Sequence, residues 1–361
     1  MSYRVLSLSL PVLFAVACGG SVEFSPPVAE RQFELLGELA LDAPAARAID
    51  FDGRYVLLSQ GEGGLTVVDA EDPRTPRVAA RYRPAQQRDG VVAFDRILDA
   101  VWLDAGHFVS VVDPACAGLC VLPPPDQELR VQAWTGSGDP RVVATLAAET
   151  TVAIAADAGW LFTSMPSERS SGAMGSLKVF DLRSPSSPRE TARADLSTAG
   201  RLAVGSGGTL INAFSDAGGS ATGFDRLDVT RPAQPLPLAT SGTAAAAGSF
   251  GDAALAGQFL YQLDGGGQLF RIDVSSPRGP FQPVGLLGGA AITVFAVDAD
   301  RLVLSRGGAP VQVYRLDRDR PPLLLDQLPD RGEVLHIALH GDLVLLASDQ
   351  PARLSLFRLL R

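Results

Sequence analysis

Apolar residues in this chain come in short runs of four to eight, rich in Val, Leu and Ile and separated by Gly, Pro and acidic residues. That is the pattern of strands and tight turns rather than of helices. The stretch "GLTVVDAEDPRTPRV", Gly64 to Val78, shows the unit in full. Alternation across Leu65, Val67 and Asp69 predicts a strand with one buried face. Pro73 and Pro76 cannot donate to a ladder, so pairing is expected to stop there and resume at Arg77.

The unit returns along the chain. Full copies begin at Leu65, Leu129, Leu177, Phe224, Leu269 and Val311, with a truncated copy at Leu354. Each full copy has a proline eleven residues after its first apolar position, at Pro76, Pro140, Pro188, Pro235, Pro280 and Pro322. The starts are separated by 64, 48, 47, 45, 42 and 43 residues, close to the period of a four-stranded propeller blade, with a long insertion in the second unit. The seventh unit stops without a fourth run, and "QFELLGELAL", Gln32 to Leu41, has the composition of the missing strand. The expected fold is therefore all-β: a seven-bladed β-propeller of four-stranded blades over residues 32–361, closed by an N-terminal strand paired into the last blade.

"LTVVDAEDPRTPRVAARY" and "LFRIDVSSPRGPFQPVGLL" resemble the LVIVD repeat of exported and surface proteins of bacteria and archaea. The resemblance implies a propeller outside the cytoplasm and lends no catalytic residue. Asp69, Asp181, Asp228 and Asp273 recur at one offset of the repeat. A short acid at a strand end accepts hydrogen bonds from the amides of the next turn, so these are read as turn punctuation.

At the N-terminus, Arg4 precedes an apolar run from Val5 to Ala17, too short to span a bilayer as a mature helix and read as a secretion signal. Ala15-Val16-Ala17-Cys18 resembles the lipobox of bacterial lipoproteins. The resemblance implies a signal peptide over residues 1–17, acylation of Cys18, a flexible tether over residues 18–31 and, with Gly19 rather than Asp after the cysteine, the outer membrane, facing either the periplasm or the surface. An ordinary signal peptide cleaved nearby is the alternative. Cys116 and Cys120, in "PACAGLC", are then outside the reducing cytoplasm and are read as a disulfide, with a metal pair as the alternative.

The formal charge of −9 excludes a nucleic-acid partner of the usual kind, because phosphate binding needs a dense Lys/Arg stripe. Lys178 is the single lysine. The candidate catalytic inventory is thin. His107, His336 and His340 are the only histidines, and no HExxH, calcium-loop or G-x-S-x-G framing is present, so no catalytic residue, metal ligand or cofactor is assigned. Asp50, Asp52, Asp99, Asp104, Asp157, Asp298 and Asp300 fall in or just after the first strands of their units. They would be the groups of a rival reading, a periplasmic or surface hydrolase or lactonase with a metal in its channel.

Long connections at Pro114 to Gln127, Pro166 to Gly175 and Ser215 to Gly223 fall on one rim of three neighbouring blades. They place Asp126, Glu168, Arg169 and Asp216 as candidate binding residues. Tolerated surface insertion is the alternative for these loops. The expected function is a non-enzymatic binding or scaffolding module, anchored in the envelope by lipid and holding a protein or glycan.

Overall fold

The computed structural model describes residues 33–360, except 44–47, 89–90, 116–125, 168–173, 206, 216–221, 244–252, 264–267, 276–281, 284–290, 308, 318–319, 321 and 329–331. Thirty strands and no helix lie among the described residues. β1 is Phe33–Ala40. Blade 1 is β2 (Ala48–Phe51), β3 (Tyr55–Ser59), β4 (Leu65–Asp69) and β5 (Arg77–Tyr82). A hairpin, β6 (Ala85–Arg88) and β7 (Val91–Phe94), precedes blade 2, which is β8 (Arg96–Asp104), β9 (His107–Asp113), β10 (Glu128–Ala133) and β11 (Arg141–Ala147). Blade 3 is β12 (Ala153–Asp157), β13 (Trp160–Pro166), β14 (Gly175–Asp181) and β15 (Arg189–Leu196). Blade 4 is β16 (Arg201–Gly205), β17 (Thr209–Ser215), β18 (Thr222–Asp228) and β19 (Leu236–Thr243). Blade 5 is β20 (Ala253–Ala256), β21 (Phe259–Leu263), β22 (Leu269–Asp273) and β23 (Gln282–Pro283). Blade 6 is β24 (Ile292–Asp298), β25 (Arg301–Arg306), β26 (Gln312–Arg315) and β27 (Leu323–Gln327). Blade 7 has only β28 (Val334–His340), β29 (Leu343–Ser348) and β30 (Arg353–Leu359) from the end of the chain.

The fourth strand of blade 7 is β1, as the sequence predicts. It pairs antiparallel with β30, from Phe33 opposite Leu359 to Ala40 opposite Arg353. The Phe33 and Phe357 rings meet edge to face at 5.9 Å. The result is seven antiparallel four-stranded sheets.

Seven apolar clusters, one between each pair of successive blades, close the ring. Leu57 and Val67 of blade 1 pack with Phe108 and Trp134 of blade 2. Equivalent clusters join blades 2 and 3, 3 and 4, 4 and 5, 5 and 6, and 6 and 7. The seventh joins Leu345 and Leu356 of blade 7 to Val56 and Val68 of blade 1. Each fully buried Leu or Val in these seams contributes about 1.5–3 kcal/mol relative to exposure. This packing corrects one expectation. β4 is buried along its whole length, because a blade is sandwiched between two neighbours and both of its faces are interior.

The repeat's punctuation is structural. Asp69, Asp181, Asp228 and Asp273 each accept the amide two residues on, from Glu71 at 3.1 Å, Arg183 at 3.1 Å, Thr230 at 2.8 Å and Ser275 at 2.9 Å. The residue at the end of the third strand is buried in every blade: Ala70, Trp134, Leu182, Val229, Val274, Leu316 and Leu359. Its amide donates to a carbonyl in the turn between the first two strands, that of Arg54, Gly106, Gly159, Gly208, Gln258, Asp300 or Asp342. In six blades the outermost strand also slips register by one residue against the third. Such bulges twist an edge and blunt its capacity to template another strand.

Candidate functional site

The two ends of the ring are built differently. At one end the first and second strands are joined by two or three residues in all seven blades, and in blades 1, 3, 4 and 5 the third and fourth are joined by the Asp-capped turns. At the other end lie the connections between second and third strands, the links between blades, and the β6–β7 hairpin, where the Arg83 guanidinium stacks 3.7 Å above the Phe94 ring. The long connections are at this second mouth, whereas turn lengths at the first differ by one residue. The extra residues of the second unit are thus divided between that hairpin and the 114–127 connection.

A cavity of about 850 Å³ opens at the same mouth. Its walls come from blades 1, 2, 3, 4 and 7, and its polar groups include Gln60, Arg96, Asp99, Arg201, His336 and Asp349. Asp99, Arg201 and His336 share one rung of the channel, each standing on an inner strand opposite Val111, Ala213 and Ala347 respectively. On that rung blades 1, 3 and 6 supply Ala48, Ala153 and Val294. An acid, a guanidinium and an imidazole are therefore set among small apolar neighbours.

Burial drives the Asp99 carboxyl up to about 6, against the opposing pull of Arg201 and of hydrogen bonds from the Ala100 and Ile154 amides. The Ala100 bond is 2.9 Å long. Asp50 on β2 is raised for the same reason, although it accepts the amides of Phe51 at 2.9 Å and of Trp102, on the next blade, at 2.8 Å. Asp298 on β24 accepts Gly341 of the next blade at 3.0 Å. These inner-strand acids stitch blades 1, 2 and 6 to their successors. Asp52 and Asp104 cap the tight turns at the opposite end, taking the amides of Tyr55 at 2.6 Å and Gly106 at 2.7 Å, and Asp104 also contacts His107 Nδ1 at 3.0 Å. Asp300 pairs with Arg301 at 3.6 Å, and Asp157 ends β12 beside its tight turn. Among the described residues no three His, Cys, Asp or Glu side chains converge as metal ligands.

Sequence reasoning missed the groups that set the rim. The second position of the repeat is Thr66, Arg130, Lys178, Asp225, Phe270, Gln312 or Ser355. Thr66, Lys178, Asp225 and Ser355 are buried, and in blades 2, 3 and 4 this position holds the link arriving from the previous blade. Arg130 Nη2 lies 2.8 Å from Asp95, whose other oxygen accepts the Ala115 amide at the base of the 114–127 connection at 2.9 Å. The far end of that connection is fixed by Gln127 Oε1, which accepts Thr151 N at 2.8 Å. Lys178, buried to 3% exposure, pairs with Glu149. Asp225 accepts from Ser197 N at 2.9 Å, Ser197 Oγ at 2.6 Å, Asn212 Nδ2 at 2.9 Å and Thr240 Oγ1 at 2.9 Å.

Of the residues expected from sequence, Asp126 is exposed just before β10 and does not line the cavity. Cys18, Cys116, Cys120, Glu168, Arg169 and Asp216 lie outside the described residues. The two nearby histidines separate along β28: His336 lines the cavity, whereas His340 packs edge to face on Phe51 at 5.4 Å by the opposite turn.

No protein-family model matches the chain, and no curated protein does either, so the LVIVD resemblance rests on the repeat residues themselves. Among solved structures 976 chains match, a breadth that identifies a common architecture and not an activity. One is a chain of the crystal structure of a mitotic checkpoint complex, aligned over 100% of both chains with a TM-score of 0.64 and 14% identity. At that identity the likeness establishes the fold alone: a seven-bladed β-propeller.

Proposed function

We propose that this propeller is a non-enzymatic binding module for a protein partner, held at the outer membrane by lipid on Cys18 and engaging its partner through the mouth that carries the long connections. The observation that carries the reading is the asymmetry of the ring. Seven near-identical tight turns form one end. Every irregular connection and the cavity are at the other, where buried ion pairs and a saturated carboxylate hold the base of the rim. Variable loops on a rigid scaffold are where recognition concentrates. The full-length fold likeness to a chain of a multi-protein complex accords with this use of a propeller.

The test is affinity isolation of the tagged protein from gently cross-linked envelopes beside a Cys18→Ser control. A partner recovered in near-equal amount with the lipidated form alone supports the anchored module. Equal recovery with Cys18→Ser removes the anchor from the account, and recovery of no partner with either form overturns the module.

A further inference from the structure

The chain enters the ring at the end made of tight turns. β1 is the fourth strand of blade 7, and its first residue, Phe33, stands opposite Leu359, whose amide donates to the Asp342 carbonyl in the turn between β28 and β29. The same end carries apolar side chains in water. Among the described residues nine large apolar side chains are exposed, and six of them, Leu35, Leu236, Leu238, Leu323, Leu324 and Leu360, lie within three residues of it on outermost strands or just past β30.

These leucines occupy one side of that end. The residue after the repeat's proline opens the fourth strand; it is an exposed arginine in blades 1, 2 and 3, at Arg77, Arg141 and Arg189. In blades 4 and 6 it is Leu236, 59% exposed opposite Asp228, and Leu323, 52% exposed opposite Arg315. One backbone position thus holds arginine on half of the ring and leucine elsewhere, with the side chain in water in each case, so packing within the blade does not call for the leucine. A single exposed leucine needs no explanation, but a set gathered at one margin marks a contact.

We propose that the tight-turn margin of blades 4, 6 and 7 rests on the lipid surface that holds Cys18, and that the irregular mouth faces away from it. The inference rests on the lipid-anchored reading, with residues 18–31 as the tether, and gives it an orientation. A coil of fifteen residues, the separation of Cys18 from Phe33, spans about 20 Å. β28 alone, with seven residues, sets the opposite mouth about 20 Å further off. A tether of that reach keeps the leucines at high effective concentration beside the bilayer, where apolar contacts too weak to recruit a free protein are enough. Arg320 pairs with Asp317 and Arg358 with Glu34, each at 3.9 Å, so the charges beside the leucines of blades 6 and 7 largely cancel and the contact is apolar rather than electrostatic.

The test places the acylated full chain in vesicles of phosphatidylcholine brominated on its acyl chains, which quench tryptophan at the hydrocarbon boundary. Leu236→Trp and Leu323→Trp report from the margin, and Met174→Trp reports from the irregular mouth, where Met174 is 62% exposed. The parent chain supplies the background of its three tryptophans. At least about half of the added fluorescence is expected to be quenched at positions 236 and 323, and none at position 174. Adding Leu323→Ser and Leu324→Ser to Leu360→Trp is expected to cut the quenching at position 360 at least about threefold with flotation unchanged; undiminished quenching overturns the role of the leucines. Unquenched tryptophans at positions 236 and 323 in chains that float with the vesicles, or quenching at position 174, overturn the orientation and leave the anchor standing. Failure of the parent chain to float removes the anchor and this inference with it. Shielding of Leu323→Trp from acrylamide without vesicles assigns the leucines to a contact between copies of the chain and overturns the lipid assignment.

Discussion

A Cβ placed on Gly37 would stand 2.6 Å from the carbonyl oxygen of Pro73. Gly37 belongs to β1, the outermost strand of blade 7, and Pro73 to the proline turn of blade 1. The first strand of the chain therefore closes one blade and also presses against the repeat motif of its neighbour, a contact reinforced by Arg74 and Glu34 at 3.1 Å. Pro76 Cδ would lie at 2.8 Å from the same Cβ. Backbone cannot give way as a flexible side chain can, so Gly37→Ala is expected to cost about 1–3 kcal/mol. Thermal and urea melts of the variant beside the parent chain measure it.

Closure by β1 makes both ends of the propeller necessary to one sheet. Removing Leu354–Arg361 leaves β1 and β29 without the strand between them and opens the clusters on both sides of blade 7. The truncated chain is expected to lose the whole ring, read as complete digestion under proteolysis that spares the full chain. Phe33→Ala, which keeps the strand and deletes one ring from the seam, is expected to cost about 3–5 kcal/mol.

The single lysine of the chain is a rim clamp. Lys178 is 3% exposed on its side chain whereas Glu149 is 38% exposed, so the two halves of the pair are not equivalent. Glu149→Gln strands a buried ammonium and is expected to destabilise by about 3–5 kcal/mol. Lys178→Met leaves a carboxylate that water can reach and is expected to cost less. An amine-reactive ester supplies an independent reading: Lys178 stays unmodified in the native chain and reacts after denaturation, as resolved by peptide mass spectrometry.

The carboxyl of Asp99 makes stability fall with rising pH in one window. Its folded value of about 6 exceeds the ordinary 3.8, so the native state binds more protons than the unfolded one between roughly pH 4 and 6. Stability from this group is greatest below that window and is lost through it, by at most about 3 kcal/mol. Asp228 runs the opposite way, held low by the Thr230 amide and hydroxyl, and weakens the fold only as pH falls below the carboxylate range. Asp99→Asn is expected to gain about 1–2 kcal/mol at pH 7.5 and nothing at pH 4, as measured by denaturant midpoints across pH.

The repeat, its period and its proline turns were legible because they depend on local chemistry: Pro73 breaks a ladder and Asp69 caps a turn whatever surrounds them. Closure by Phe33–Ala40 was legible because a missing fourth strand and an extra first one are both visible by composition. The clamps were not. At the second repeat position Arg130, Lys178 and Asp225 share a place and no chemistry, and each is matched to a partner in a link that varies from blade to blade. The shared rung of Asp99, Arg201 and His336 was hidden for a related reason. It is defined by strand register around a closed ring, and bulges before Asp99 and His336 shift that register away from simple counting.

The most direct test of the account compares the two ends of the ring. Arg201→Gln with Asp349→Asn alters the irregular mouth, and Arg183→Ala with Asp300→Asn alters the end made of tight turns. Each pair is isolated from cross-linked envelopes beside the parent chain, and the accompanying proteins are quantified by mass spectrometry. The account predicts that the stoichiometric partner is lost with the first pair and kept with the second. Loss with the second pair and retention with the first would contradict it.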